Sequence, residues 1–187
     1  MLKRKHGTIV LPVLALCMGS LSAVAGLVDD VATADLPSFS QKLNSDQKED
    51  QGTLNKALHR ACEIGRVEAV IQLLNKGAEV DANIGGERPL HKAAQNGHIS
   101  VVEILIAWAR KQGKDMTTFM NAPNNSGGTA LHSTAIFGFN RLTRILCDNG
   151  ARAGVRTHGN DPLTPLQYAK TYGNQTSVMI LTNVCNQ

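Results

Sequence analysis

Three histidines, His59, His91 and His132, occupy the same place in three similar heptapeptides, and Cys62 follows His59 by one turn of a helix. Imidazole is a common metal ligand and general base, and a thiolate beside it can be an activated nucleophile. Zinc binding and Cys/His catalysis are therefore the first chemistries to test. Zinc fails on spacing. Histidines at equivalent positions of successive packed helices lie about 8–10 Å apart, whereas zinc needs its nitrogen ligands about 2.1 Å from one ion. Cys62 and His59 read more simply as a small buried hydrophobe beside a structural imidazole. The chain has no Gly-rich phosphate loop, no Gly-x-Ser-x-Gly elbow and no His-Glu-x-x-His. These residues point to no catalytic group, no cofactor and no metal.

The elements that must position them emerge from the heptapeptides. Lys56-Ala57-Leu58-His59-Arg60-Ala61-Cys62, Arg88-Pro89-Leu90-His91-Lys92-Ala93-Ala94, Thr129-Ala130-Leu131-His132-Ser133-Thr134-Ala135 and Thr164-Pro165-Leu166-Gln167-Tyr168-Ala169-Lys170 follow one another with leucine spacings of 32, 41 and 35 residues. In the second copy, Pro89 suits the first turn of a helix because its missing N–H would be unpaired there anyway. Leu90, Ala93 and Ala94 then make one narrow apolar face, small enough for a neighbouring helix to come close. Gly97 ends this helix, and a second begins near Ser100 with Val101, Val102, Leu105 and Ile106 inward. Ala69, Val70, Leu73 and Leu74 repeat that signal in the first copy, and Leu142, Ile145, Leu146 and Cys147 in the third. A hairpin of this size cannot bury both its faces alone, so stacking supplies the core.

These motifs resemble the ankyrin repeat. Its Thr-Pro-Leu-His-x-Ala signature survives as Arg88-Pro89-Leu90-His91-x-Ala93 and as Thr164-Pro165-Leu166-x-x-Ala169. Gly97-His98 and Gly77-Ala78-x-Val80-x-Ala82 match the family's later positions. The resemblance implies an all-α solenoid of stacked helix-turn-helix repeats with short projecting turns, covering 53–187 as repeats at about 53–84, 85–124, 125–158 and 159–187. It also implies a non-catalytic module that binds another protein on a concave surface, and a motif histidine that hydrogen-bonds backbone and links adjacent turns.

Departures from the pattern carry their own expectations. The stretch from Ile106 to Asn121 is about eight residues longer than its counterpart from Leu74 to Asp81. Trp108 extends a helix, and Met116, Phe119 and Met120 fold back over the stack; this insertion either covers apolar surface or lends Trp108 to a partner. In the fourth copy Gln167, Lys170 and Thr182 are polar replacements that suit a terminal repeat facing water. Residues 26–52 are poor in large apolar side chains and read as a linker, an exposed tether to about Ser38, then a short capping helix on Leu36, Phe39 and Leu43.

The first 25 residues decide compartment and charge. Lys3-Arg4-Lys5, the apolar run from Ile9 to Met18 and Ala23-Val24-Ala25 have the form of a cleaved secretory signal. The segment is short for a membrane span and is interrupted by Pro12 and Gly19, so no stable membrane insertion is expected after cleavage. Removing 1–25 lowers the basic count from 19 to 16 against 15 acids. A near-neutral chain without a basic stripe offers little to a phosphate backbone, so nucleic acid is not the expected partner. The expected product is an exported, periplasmic or secreted monomer. Of its three remaining cysteines, Cys147 and Cys185 lie on second helices of adjacent repeats and either pair or stay free.

Non-motif residues of the first helices project toward the concave side. They are Arg60, Glu63 and Ile64, then Lys92, Gln95 and Asn96, then Ile136 and Phe137, then Tyr168, Thr171 and Tyr172. Four of the chain's seven aromatics, Phe137, Phe139, Tyr168 and Tyr172, fall on adjoining first helices and their turns. Clustered exposed aromatics make interface hot spots. The alternative is that Phe137 and Phe139 pack under the turn of the next repeat and Tyr168 covers a seam. With Ile136, Arg60, Lys92 and Trp108 the four aromatics form the candidate partner-binding set. A second function class, an enzyme or small-ligand protein, would place its site between residues 107–122 and the concave face. Asn124-Asn125-Ser126 and Asn174-Gln175-Thr176 also fit the N-glycosylation pattern.

Overall fold

The computed structural model describes residues 26–44 and 49–185. The expected signal segment lies outside them. Two layers of helices follow directly from the alternation of motif helix and aliphatic helix. One layer holds α3 (Gln51–Ile64), α5 (Pro89–Gln95), α8 (Ala130–Phe137) and α10 (Pro165–Thr171), each packed on the next. The other holds α2 (Leu36–Leu43), α4 (Val67–Asn75), α6 (Ile99–Lys111), α9 (Asn140–Asp148) and α11 (Gln175–Asn183) in the same order. This is the all-α solenoid that the sequence implies. Leu58, Leu90 and Leu131 are buried in a row through the first layer, and Leu166 at the end of the row is half-buried against the same core.

Local chemistry sets the ends of these helices. Asp50 caps α3 by accepting from the Thr53 amide at 2.9 Å and the Thr53 hydroxyl at 2.6 Å. Pro89 and Pro165 stand in the first turns of α5 and α10. Between α4 and α5 the chain projects as a finger in which Ile84 and Glu87 exchange both backbone hydrogen bonds, at 2.9 and 3.1 Å. Its tip is Gly85-Gly86, with φ of 61° and 87°. Positive φ at both central residues is what a two-residue hairpin turn of matching twist demands, and glycine meets it without steric cost.

Successive hairpins also lock through one position. The residue after each inter-helix glycine reaches back onto the preceding hairpin: His98 Nε2 donates to the Glu63 carbonyl at 2.9 Å, and Asn174 Nδ2 donates to the carbonyls of Ala135 and Ile136, both at 2.8 Å. In the third repeat Phe139 takes this place. A β-carbon on Gly97 would come within 3.0–3.3 Å of the Phe139 ring, so the ring sits where only glycine leaves room.

The same device reveals a hairpin that the sequence did not. Residues 26–33 are helical (α1), and α2 follows two residues later. Leu27, Val31, Phe39 and Leu43 of this pair are buried in the common core. Arg66 stands at the position of His98 and Asn174, and its guanidinium donates to the carbonyls of Asp30, Val31 and Ala34. The tether expected up to Ser38 is thus corrected to a helical hairpin that occupies the place of a further repeat. Its large apolar residues are few, but four of them, Leu27, Val31, Phe39 and Leu43, are fully turned into the core. Low overall hydrophobicity concealed a sufficient face.

The insertion forms α7 (Met116–Met120), capped by Asp115, with Phe119 and Met120 buried. Ion pairing of Lys114 with Asp81 at 2.9 Å ties it to the first finger. Among the described residues, no helix is long and apolar enough to cross a membrane.

Candidate functional site

The motif histidines are joined to backbone. His59 Nε2 donates to the Ala82 carbonyl at 2.8 Å, His91 Nε2 to Ala122 at 3.0 Å and His132 Nε2 to Leu163 at 3.2 Å. Each bond runs from a first helix to the finger leading into the next repeat. Nδ1 of His91 accepts the Arg88 amide, and Nδ1 of His132 the Thr129 amide, both at 3.0 Å. Both nitrogens of these two rings are therefore committed in the neutral state. Burial pushes His59, His91 and His132 below the ordinary value of 6.5, outweighing the carbonyl bonds that favour the charged form. In the fourth repeat Gln167 Oε1 accepts the Thr164 amide at 2.8 Å, so the amide replaces the cap-binding half of histidine. Burial also drives the Cys62 thiol upward, away from the thiolate a nucleophile requires. No three His, Cys, Asp or Glu residues gather into a metal-holding group among the described residues.

A groove of about 510 Å³ runs along the first-helix layer and the bases of the fingers. Glu63, Gln95 and Asn96 line one end, and Ile136, Phe137 and Tyr168 the other, with Ser126, Ser133 and Thr157 between them. Phe137 is 58% exposed, and Tyr172, stacked on Tyr168 with ring centroids 6.5 Å apart, is 59% exposed. Tyr168 is half-buried with its ring edge against His132 at 5.9 Å. A histidine that fixes the backbone thus also orients an aromatic wall of the groove. An exposed, rigidly backed aromatic pair can bury apolar area on contact with little side-chain ordering cost.

The other candidates are distributed elsewhere. Phe139 touches Phe137, with centroids 5.8 Å apart, but its ring turns back to Gly97 and is half-buried. It packs on the preceding repeat, not under the next one. Arg60 pairs with Glu63 at 2.8 Å, and lines a separate groove with Ile64, Arg66 and Ala32. Lys92 pairs with Glu87 from the neighbouring finger. Trp108 is on α6, in the second-helix layer, half-buried against the core, with Lys111 Nζ 4.9 Å from its ring centre. It does not line the aromatic groove, and neither does any other residue of 107–122. First helices and fingers make that surface, whereas the insertion continues a second helix.

Sequence reasoning passed over the groove's hydroxyl and amide lining from the fingers. Asn124 holds this region in shape: its Oδ1 accepts the amides of Ser126 and Gly128, both at 2.9 Å. Asn174 uses its Nδ2 to donate to the carbonyls of Ala135 and Ile136, and a glycan on that nitrogen would take away one of the two hydrogens. The signal that could have located the finger is the turn composition of Asn124 to Gly128.

A profile of ankyrin repeats in three copies matches residues 15–119. The chain belongs to the ankyrin-repeat family. The match begins inside the stretch expected to be a signal and continues through the N-terminal hairpin, so it covers more N-terminal sequence than the four motif copies alone. Relatives include the B-cell lymphoma 3 protein homolog of Mus musculus, 37% identical over 117 residues, which are 62% of this chain and 24% of that protein. The transient receptor potential cation channel subfamily A member 1 of Homo sapiens is 32% identical over 99 residues, 52% of this chain and 9% of the channel. Tyrosine-protein kinase HTK16 of Hydra vulgaris is 30% identical over 130 residues, 68% of this chain and 16% of the kinase. The ankyrin chain spans less than a quarter of each of these proteins. What is shared is the repeat region, a protein–protein interaction module.

Proposed function

We propose that this ankyrin protein is exported and holds a partner protein in the groove on its concave face, so as to scaffold, protect or modulate it. The observation that carries the reading is exposed Phe137 in the wall of a groove that Tyr168 also lines, with exposed Tyr172 stacked on Tyr168 just outside it and the His132 cap already hydrogen-bonded into shape. Extended peptide backbone suits the amides and hydroxyls along the floor, and a large apolar side chain suits Ile136, Phe137 and Tyr168. Export rests on Lys3-Arg4-Lys5, the apolar segment after it and Ala23-Val24-Ala25. The Cys147–Cys185 bond, with Cα atoms 4.9 Å apart, fits the oxidising compartment that export reaches.

Capture from the native envelope or culture fluid tests this. Wild type should retain one specific band that Phe137→Ala/Tyr172→Ala loses, with the two proteins equally folded. The same bands from both would remove the groove from the account.

A further inference from the structure

The last repeat is held differently from the others. α11 buries only Ser177 and Leu181, whereas α9 buries Leu142, Thr143, Leu146 and Cys147. On the outer side of α11, Met179 is 53% exposed. Across this contact Cys147, in the last turn of α9, is bonded to Cys185, just beyond α11, with 38 residues of separation. Their Cα separation of 4.9 Å is one that a disulfide spans without backbone movement. The closed loop contains the whole of α10 and α11. Cys62 is free and buried in α3, outside this loop.

We infer that thiol–disulfide exchange at Cys147 and Cys185 sets how firmly the fourth repeat is docked, and through it whether the aromatic end of the groove is formed. The second half rests on the groove being the interface. The oxidant is a small disulfide such as oxidised glutathione. Cys185 is the more exposed of the two, and its thiolate attacks one sulfur of the oxidant; that S–S bond breaks and one thiolate departs. The Cys147 thiolate then attacks the Cys185 sulfur and expels the second. The two cysteines give up two electrons and two protons, and the oxidant leaves as two thiols. Excess thiol reverses both steps.

The groove feels this because α10 packs on α11 as well as on α8. Tyr168 and Tyr172 are on and just after α10, and Tyr168 meets His132 of α8. Releasing the loop raises the entropy of the opened repeat, opposed by the two side chains that α11 fully buries, Ser177 and Leu181, and by the partly buried Val178, Ile180 and Val184. An opened fourth repeat removes Tyr168 from the groove wall.

Hydrogen exchange by mass spectrometry on the full protein tests the inference without a partner. After treatment with oxidised glutathione a peptide linked through Cys147 and Cys185 should appear. On reduction, amide exchange across 165–183 should rise about 100-fold, with 89–111 changed less than about 2-fold. Cys147→Ser/Cys185→Ser should exchange at the fast rate in both conditions. Absence of the linked peptide, or equal exchange across 165–183 in the two states, overturns the inference. A rise confined to α11, with α10 unchanged, overturns its coupling to the groove. Failure of the capture experiment would remove the interface reading but leave these exchange outcomes standing.

Discussion

Toward the N-terminal side of the described residues the stack is packed on Leu27, Val31, Phe39 and Leu43, all buried and none belonging to the repeat motif. At the C-terminal end the motif is intact at Thr164-Pro165-Leu166, yet α11 buries only Ser177 and Leu181 and a disulfide ties the repeat down. One end has fully buried side chains without the motif, and the other the motif with few side chains fully buried. The difference teaches that the motif reports how a first helix begins and how its fourth residue reaches the next finger. It does not report how much surface the hairpin buries. Stability follows the second quantity, because stacked hairpins gain their free energy from shared interfaces.

The largest effect is expected where packing lacks a motif. Phe39→Ala should lower unfolding free energy by about 3–5 kcal/mol in a denaturant titration, as for other buried aromatic truncations. Leu166→Ala, at a motif position but half-buried, should cost about 1–2 kcal/mol. Reversal of that order would break the comparison. Arg66→Ala removes the bonds to the carbonyls of Asp30, Val31 and Ala34 and should cost about 1–3 kcal/mol. Its exchange signature should be confined to 26–43; a uniform change over all repeats would show that Arg66 is not the latch.

Acid should act on the middle of the stack before the fourth repeat. The unfolded chain takes up protons near 6.5, while buried His59, His91 and His132 stay neutral to lower pH. Between those values the unfolded state binds more protons, so stability is full above about pH 6.5 and falls as pH drops through the lowered folded values. Protonating Nδ1 would also set an N–H against the amides of Arg88 and Thr129. His132→Gln should reproduce the arrangement already present at Gln167. It should cost about 1 kcal/mol at neutral pH and flatten the acid limb. An unchanged limb would assign the acid sensitivity elsewhere. The smallest effect is expected at the groove rim, where Phe137→Ala/Tyr172→Ala should move stability by no more than about 0.5 kcal/mol.

The interior of the fold was legible because its signals are local. Proline at the start of a helix, leucine and alanine one turn apart, and glycine after the turn are each dictated by neighbouring backbone. The first helix of the N-terminal hairpin was not, because Leu27 and Val31 acquire meaning only against the core and the Arg66 latch, whereas Phe39 and Leu43 could be read from their helical spacing. Among candidate site residues, Phe137 and Tyr172 were readable as non-motif positions of first helices. Phe139 was misleading: the same helix-to-helix turn that holds His98 and Asn174 inward holds it inward too. Trp108 was conspicuous by type, but residue type does not say which layer a helix joins. The pairing of Cys147 and Cys185 needed coordinates, since second helices in adjacent repeats approach at several heights and only one brings Cα atoms to 4.9 Å.

Photo-crosslinking is the most direct test of the claim that one side of this stack grips another protein. A benzophenone side chain would replace Phe137 in the groove and, in a second protein, Ile71 on the exposed side of α4. The account predicts a specific protein adduct from position 137 and none from position 71. Equal labelling from both positions, or an adduct from position 71 alone, would contradict it.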